Sequence, residues 1–349
     1  MKITHCLSDA ICLLQFVHSW ADRTRKLFDI GRGAKLVTGD IPSKVLFDPS
    51  LLDAHAKLDP QASEPDGDRI DRARSLPMHR FDWWATEAPS YPPWATASSS
   101  ATQPSPDELS HIRLSPSTHP PWPTWDMGAP VEHVQVRFSK DEIARMKAAA
   151  MNSLPDHSSS PEGQIVVSRQ DALLAHLWIL INRARARARQ MENLNHDNNN
   201  NNNNRNNSDE DDGHKEEEKG QVYMDITLGI RNRVSPPLPD SFAGSPILLA
   251  HVARPGVVEA AATPIGAVAA AIRQMMSRFT SQAVSDYLYE AAHEVSPQRL
   301  WQAFLGSRHV LVTSWARARA YEVDFLGTGP GLGQARYVQS HMPLMDGLL

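Results

Sequence analysis

His5 and Asp9 stand four residues apart in Thr4-His-Cys-Leu-Ser-Asp9. A histidine is the natural base for taking a proton from an alcohol or amine near neutral pH. An aspartate four residues on, at a helix start, can hold the local backbone or pair with a distant arginine. The same spacing recurs as His18 and Asp22. That copy falls inside a predicted helix, near its polar side, and reads as surface. A metal site assembled from His5, Asp9, His18 and Asp22 is set aside, because each pair has a simpler explanation. Cys6 and Cys12, the two cysteines, fit neither a zinc nor a redox signature. The glycines of Gly327-Thr-Gly-Pro-Gly-Leu-Gly333 match neither a dinucleotide nor a Walker pattern, and no clear helix opens after them. Trp83 and Trp84 lack the basic groove that base stacking needs and read as packing residues.

The elements that must position these residues show in the periodicity. Residues 10–28 read as an amphipathic helix with Ala10, Leu13, Leu14, Val17 and Ala21 on the buried face, capped by Ser8 or Asp9. Met1–Thr4 ahead of it is β-prone. Residues 85–130, rich in Pro, Ser and Thr, read as a long irregular connection, ordered in part by Trp94, Trp122 and Trp125. His133–Phe138 alternates like a strand. Ser139 with Glu142, and Ser168 with Asp171, are capping-box signatures. They open one helix to about Asn152 and another through the apolar run Ala172–Ile181, with polar loop between them over 153–164. Arg183, Arg185, Arg187 and Arg189 read as a solvated helix end suited to the negative end of the dipole. Residues 195–220, an asparagine tract followed by Asp, Glu and Lys runs, carry too little apolar surface to fold and read as a disordered insertion. Val222–Leu228 and Val310–Thr313 read as strands. Residues 263–292 read as mostly helical, with Thr263 as cap and Pro264 at the first helical position. Tyr321–Phe325 is a candidate strand, and Met345–Leu349 looks like the start of another.

Composition narrows the class. A net charge of −5 over 349 residues argues against broad nucleic-acid binding, which needs a basic surface. Polar interruptions at His5, Asp9, Gln15 and His18 spoil residues 1–20 as a secretory or membrane segment. The expectation is a cytoplasmic protein in a reducing compartment.

Thr4–Phe16, ending in Trp20-Ala21, resembles the active-site segment of the BAHD-type acyl-CoA-dependent acyltransferases, with the fungal trichothecene-type acetyltransferases the nearest-looking group. Further segments resemble that family in order. They are Ser168–Trp178, then Leu228-Gly-Ile-Arg-Asn-Arg233 with Pro236–Pro239 and Phe242–Ser245, then Val312-Thr-Ser-Trp315, then Tyr321–Phe325 with the glycines after it. The resemblance implies an α/β fold of two chloramphenicol acetyltransferase-like domains with mixed sheets and flanking helices. Residues 1–194 would form the first domain, 195–220 the insertion and 221–349 the second domain. It implies His5 as general base and Asp9 as an orienting residue paired with Arg231 or Arg233. Thr313 and Trp315 would line the channel and help stabilise the oxyanion, and Asp324 would be structural. Acyl-CoA would be a co-substrate, with no permanently bound cofactor and no metal, and the acceptor a hydroxyl or amine of a small metabolite. No nucleic-acid or membrane partner is implied, and the family's members usually act as monomers. The sequence departs from the family at Leu326, where glycine is usual, and at Ser245, where asparagine is usual. Family members also carry a long region before the histidine, so the expectation is a member truncated at both ends with its first domain incomplete. The alternative is a non-catalytic remnant of the fold with at most a binding role.

Overall fold

The computed structural model describes residues 7–31, 47–155, 159–160, 163–200, 220–327 and 333–338. The expected strands at Met1–Thr4 and Met345–Leu349 lie outside them. Helix α1 spans Ala10–Gly31, with Cys12, Leu14 and Ala21 buried and the other expected face positions half-buried. Helices α2 (Ser50–Asp53) and α3 (Gly67–Arg74) follow. Asp66 caps α3, its side chain accepting from the Arg69 N–H at 3.2 Å.

The stretch 85–130 is more regular than expected. It holds α4 (Pro93–Thr102), α5 (Pro106–Ser110) and a 3-10 turn at Trp122–Thr124. Helix α5 opens on a full capping box between Ser105 and Glu108 with proline at its start. Trp122 sits fully buried among Phe81, Ala88 and Phe304. Helix α6 (Lys140–Asn152) has the expected Ser139–Glu142 box. His133–Phe138, by contrast, is no strand: it joins no ladder of the described sheets, and Val134 and Val136 are exposed. Alternation describes a strand's faces but does not supply its neighbour.

Helix α7 runs Arg169–Asn200. Ser168 and Asp171 cap it reciprocally, and Arg273 ion-pairs with the same carboxylate. Ala172, Ala175, Trp178 and Ile179 are buried. The arginine run is therefore mid-helix, not at an end: Arg185 Nη2 donates to the carbonyls of Gly306 and His309 at 3.0 and 2.9 Å. The helix also enters the expected insertion; residues 201–219 lie outside the description. In the expected loop 153–164, β1 (Ser159–Ser160) and β2 (Gly163–Gln164) form a minimal antiparallel pair.

The main sheet has three strands: β3 (Gln221–Gly229), β4 (Ile247–Pro255) and β5 (His309–Val312). Central β3 pairs antiparallel with β4 and parallel with β5. Val222, Met224, Ile226 and Leu228 bury one face with Leu248, Ala250, Val252, Val310 and Val312. Over it pack α7, α8 (Gly256–Ala262) and α9 (Ile265–Ser277). Pro264 is the N-cap of α9, and Thr263 closes α8 instead of opening the next helix. Helix α10 (Ser281–Ala292) packs on α3. Tyr321–Phe325 forms a 3-10 turn and one isolated bridge, Asp324 to Gln334. Among the described residues, no single helix is long and apolar enough to cross a membrane.

The approach of α9 to α6 is set by Gly266. A Cβ there would lie 2.3 Å from the Ser153 carbonyl oxygen and 2.4 Å from that of Ala150. Both are backbone atoms that cannot swing aside. Gly266→Ala is therefore expected to lower stability by about 1–3 kcal/mol through overpacking. A urea titration checks this: the midpoint should fall with an unchanged slope.

Candidate functional site

The N-terminal end of α1 is fastened to the end of the sheet. Asp9 caps the helix, Oδ1 accepting from the Cys12 N–H at 2.9 Å, and its own N–H donates to the Gly244 carbonyl at 3.1 Å. Oδ2 ion-pairs with Arg231 Nη1, and both side chains are buried. Arg231 stands two residues beyond β3. Its Nη2 also reaches the carbonyls of Phe242 and Gly244, at 3.2 and 3.4 Å, and its guanidinium carbon lies 5.8 Å from the Phe242 ring centroid. Of the two arginines expected to compete for Asp9, Arg231 makes the contact. Arg233 Nη1 instead donates to the carbonyls of Met276 and Phe279, at 3.1 and 2.9 Å, at the end of α9. His5 lies outside the described residues.

Thr313 and Trp315 follow β5. Because β5 runs parallel to β3, the chain leaves both strands at the same end of the sheet, one toward Arg231 and the other toward Thr313. Thr313 is exposed. Trp315, like Val17 of α1, packs against the cluster that Leu14 of α1 forms with Ala318 and Ala320. Helix α1 thus touches both segments. Asp324 turns the next stretch: its Oδ1 accepts from the N–H groups of Leu326 and Gly327, at 2.9 and 2.8 Å, and its carbonyl accepts from Arg25 of α1. His18 Nε2 contacts the Arg319 carbonyl at 3.2 Å, so it is half-buried against this segment and not simply surface. Asp22 pairs with Arg25 and Lys26.

The opposite face of the sheet from the helices carries a second group of ionisable residues that the sequence reading missed. The register places Asp225 of β3 opposite His251 of β4, and Tyr223 opposite His309 of β5. The loop after α3 lies over them. It is held by reciprocal backbone bonds of Phe81 with Trp301, at 2.9 and 3.1 Å, and by the His251 N–H donating to Pro77 at 2.8 Å. His309 Nδ1 is 2.8 Å from Asp225 Oδ2, and His79 Nε2 is 3.1 Å from Oδ1. Asp225 is fully buried and His309 is 1% exposed. Burial alone would push the Asp225 carboxyl up, but its imidazole neighbours, the hydrogen-bonded His309 first and then His79, hold it below the ordinary range. Burial, reinforced by nearby His79, pushes His251 down to about 4. The signal available in the sequence was a polar residue at the centre of otherwise apolar runs, Met224-Asp-Ile226 and Leu248-Leu-Ala-His-Val252.

A family model described as "Transferase family" matches residues 93–347, and the chain belongs to that family, the BAHD type. A curated relative, the acyltransferase AFT15-1 of Alternaria alternata, is 26% identical over 334 residues, covering 95% of this chain and 53% of the relative. The chain therefore spans about half the length of the curated relative it matches. Among solved structures, F. sporotrichioides TRI101 complexed with coenzyme A and T-2 aligns with a TM-score of 0.43 at 19% identity, over 62% of this chain and 45% of that one. Vinorine synthase aligns at 0.37 and 17% identity, over 60% and 38%.

Removing one member of the Asp9–Arg231 pair leaves a buried charge without its partner, which typically costs about 3–5 kcal/mol. Asp9→Ala should lose stability on that scale, and adding Arg231→Met should recover part of it. A double-mutant cycle of unfolding free energies reads the coupling directly.

Proposed function

We propose that the protein transfers an acyl group from acyl-CoA to a hydroxyl or amine of a small metabolite, with His5 as general base. Membership of the transferase family and the likeness to a curated acyltransferase support the reaction class. The observation that carries the reading is the anchoring of Asp9 to Arg231. His5 stands four residues before this fixed point, and an orienting role for Asp9 needs such a fixed point and no contact with substrate.

In the proposed reaction, His5 takes the acceptor proton as the acceptor oxygen or nitrogen attacks the thioester carbonyl. The carbonyl oxygen becomes an oxyanion, for which the Thr313 hydroxyl is the candidate donor. Collapse breaks the carbon–sulfur bond, and the histidinium returns its proton to the departing CoA thiolate. The products are the acylated acceptor and free CoA. The thioester is already activated, so the step needs only acid–base and electrostatic help. The exposed Thr313 and the packing of Trp315 on α1 are consistent with a reacting group approaching at that end of the sheet.

Release of free CoA by the purified chain, with a panel of acyl-CoAs and pooled alcohol and amine acceptors, tests the reading. Release should depend on the acceptor and fall by about 10²–10⁴-fold in His5→Ala. Transfer retained by a folded His5→Ala protein would overturn the assignment of the base.

A further inference from the structure

We propose that His79, Asp225 and His309 form a binding site for one divalent transition-metal ion, Zn²⁺ by preference, between the sheet and the loop laid over it. The first argument is a contrast in how buried carboxylates are held. Six are buried among the described residues: Asp9, Asp82, Asp171, Asp225, Asp286 and Glu290. Five of them meet arginine: Asp9 meets Arg231, Asp82 meets Arg299, Asp171 meets Arg273, Asp286 meets Arg69 and Arg72, and Glu290 meets Arg74 and Arg80. Asp225 is the exception, met only by imidazoles among the described residues. A guanidinium keeps its charge at any physiological pH, whereas an imidazole is charged only when protonated; a dication between those rings would give the buried carboxylate a permanent positive partner.

The second argument is the donor set and its geometry. Two imidazoles and one carboxylate suit Zn²⁺ and its first-row neighbours. Their ligand atoms all lie within 4.8 Å of one another. Ligands held at about 2.0–2.2 Å from a tetrahedral ion stand roughly 3.4 Å apart, so small rotamer changes bring the three into range. The ligands come from separate parts of the chain: His79 from the loop after α3, Asp225 from β3 and His309 from β5.

The third argument is what the cluster leaves unmade. His79 Nε2 and Asp225 Oδ1 are within ion-pair distance, yet neither atom has a properly aligned hydrogen bond although both are out of contact with solvent. Two such atoms facing each other are anomalous for a purely hydrogen-bonded network and are what a pair of metal ligands would present. The rings are held in place from outside the cluster. His79 stacks between Phe81 and His251, with centroids at 4.6 and 4.1 Å, and His309 stacks on Tyr223 at 4.9 Å. His309 precedes Thr313 by four residues along β5, roughly 13 Å at strand rise. The ion is thus a clamp between loop and sheet, separate from the proposed acyl-transfer site.

The test uses the full chain, free of any affinity tag and stripped with a chelator. Zn²⁺ is added in a calorimetric titration, and Co²⁺ is followed by its visible ligand-field absorption. The wild type should bind with a clear end point, melt at a higher temperature with Zn²⁺, and give a Co²⁺ spectrum of low coordination number. Asp225→Asn and His309→Gln, checked for folding by circular dichroism, should each weaken binding by more than about 100-fold, beyond the loss usual for an outer-shell change. If a variant fails to fold, X-ray absorption of the Zn²⁺-loaded wild type must show two imidazole ligands. A folded wild type that binds neither ion overturns the site, as does binding unaffected by Asp225→Asn or a spectrum without imidazole ligands.

Discussion

Strand β3 is hydrogen-bonded on both sides, covered along one face and covered at the centre of the other, and this constraint decides where the other elements sit. Its even-numbered residues must be apolar, because α7, α8 and α9 close over them. On its other face Tyr223 and Asp225 meet the segment that carries His79, and a polar group buried there needs a partner from that segment or from a neighbouring strand. Asp225 is such a group, and three histidines converge on its surroundings. Where β3 ends, the chain delivers Arg231 to α1.

Charged pairs do much of the fastening between distant segments. Asp286 draws Arg69 and Arg72 of α3 onto α10, Glu290 holds Arg74 and Arg80, and Asp82 meets Arg299. Pairs of this kind contribute little net stability once desolvation is counted. Their effect is on position, because a wrong docking of α3 on α10 would strand several buried charges at once. The same network fixes the loop that carries His79, since Arg80 and Asp82 flank it.

The helices with capping boxes were legible because the box is a local chemical device: Ser139 with Glu142 and Ser168 with Asp171 both act within one turn. Strands β3 and β5 showed in short β-branched runs. Strand β4 did not, because Ile247-Leu-Leu-Ala-His lacks strict alternation, although Gly244-Ser-Pro246 and Pro255-Gly256 bracket it with turn signals. The box at Ser105 and Glu108 was present in the sequence, hidden in a Pro-rich stretch read as an irregular connection ordered in part by its tryptophans. The candidate site divides similarly. Asp9 and its two possible partners could be named from motifs, but the choice of Arg231 over Arg233 depends on where the turn after β3 points. Residues 79, 225, 251 and 309 belong to no common motif; the sheet register gathers the last three, and the loop after α3 brings His79 onto them.

The Asp9–Arg231 contact joins residues 222 positions apart, and that separation bears on how the protein is made. At typical synthesis rates roughly 10–45 s pass between the emergence of the two residues. Throughout that interval α1 has no guanidinium to hold its first turn. Leu14 waits longer still, because Ala318 and Ala320, which cover it, come later in the chain. The first turn of α1 is thus secured long after it is synthesised, a window in which a chaperone can bind the nascent helix.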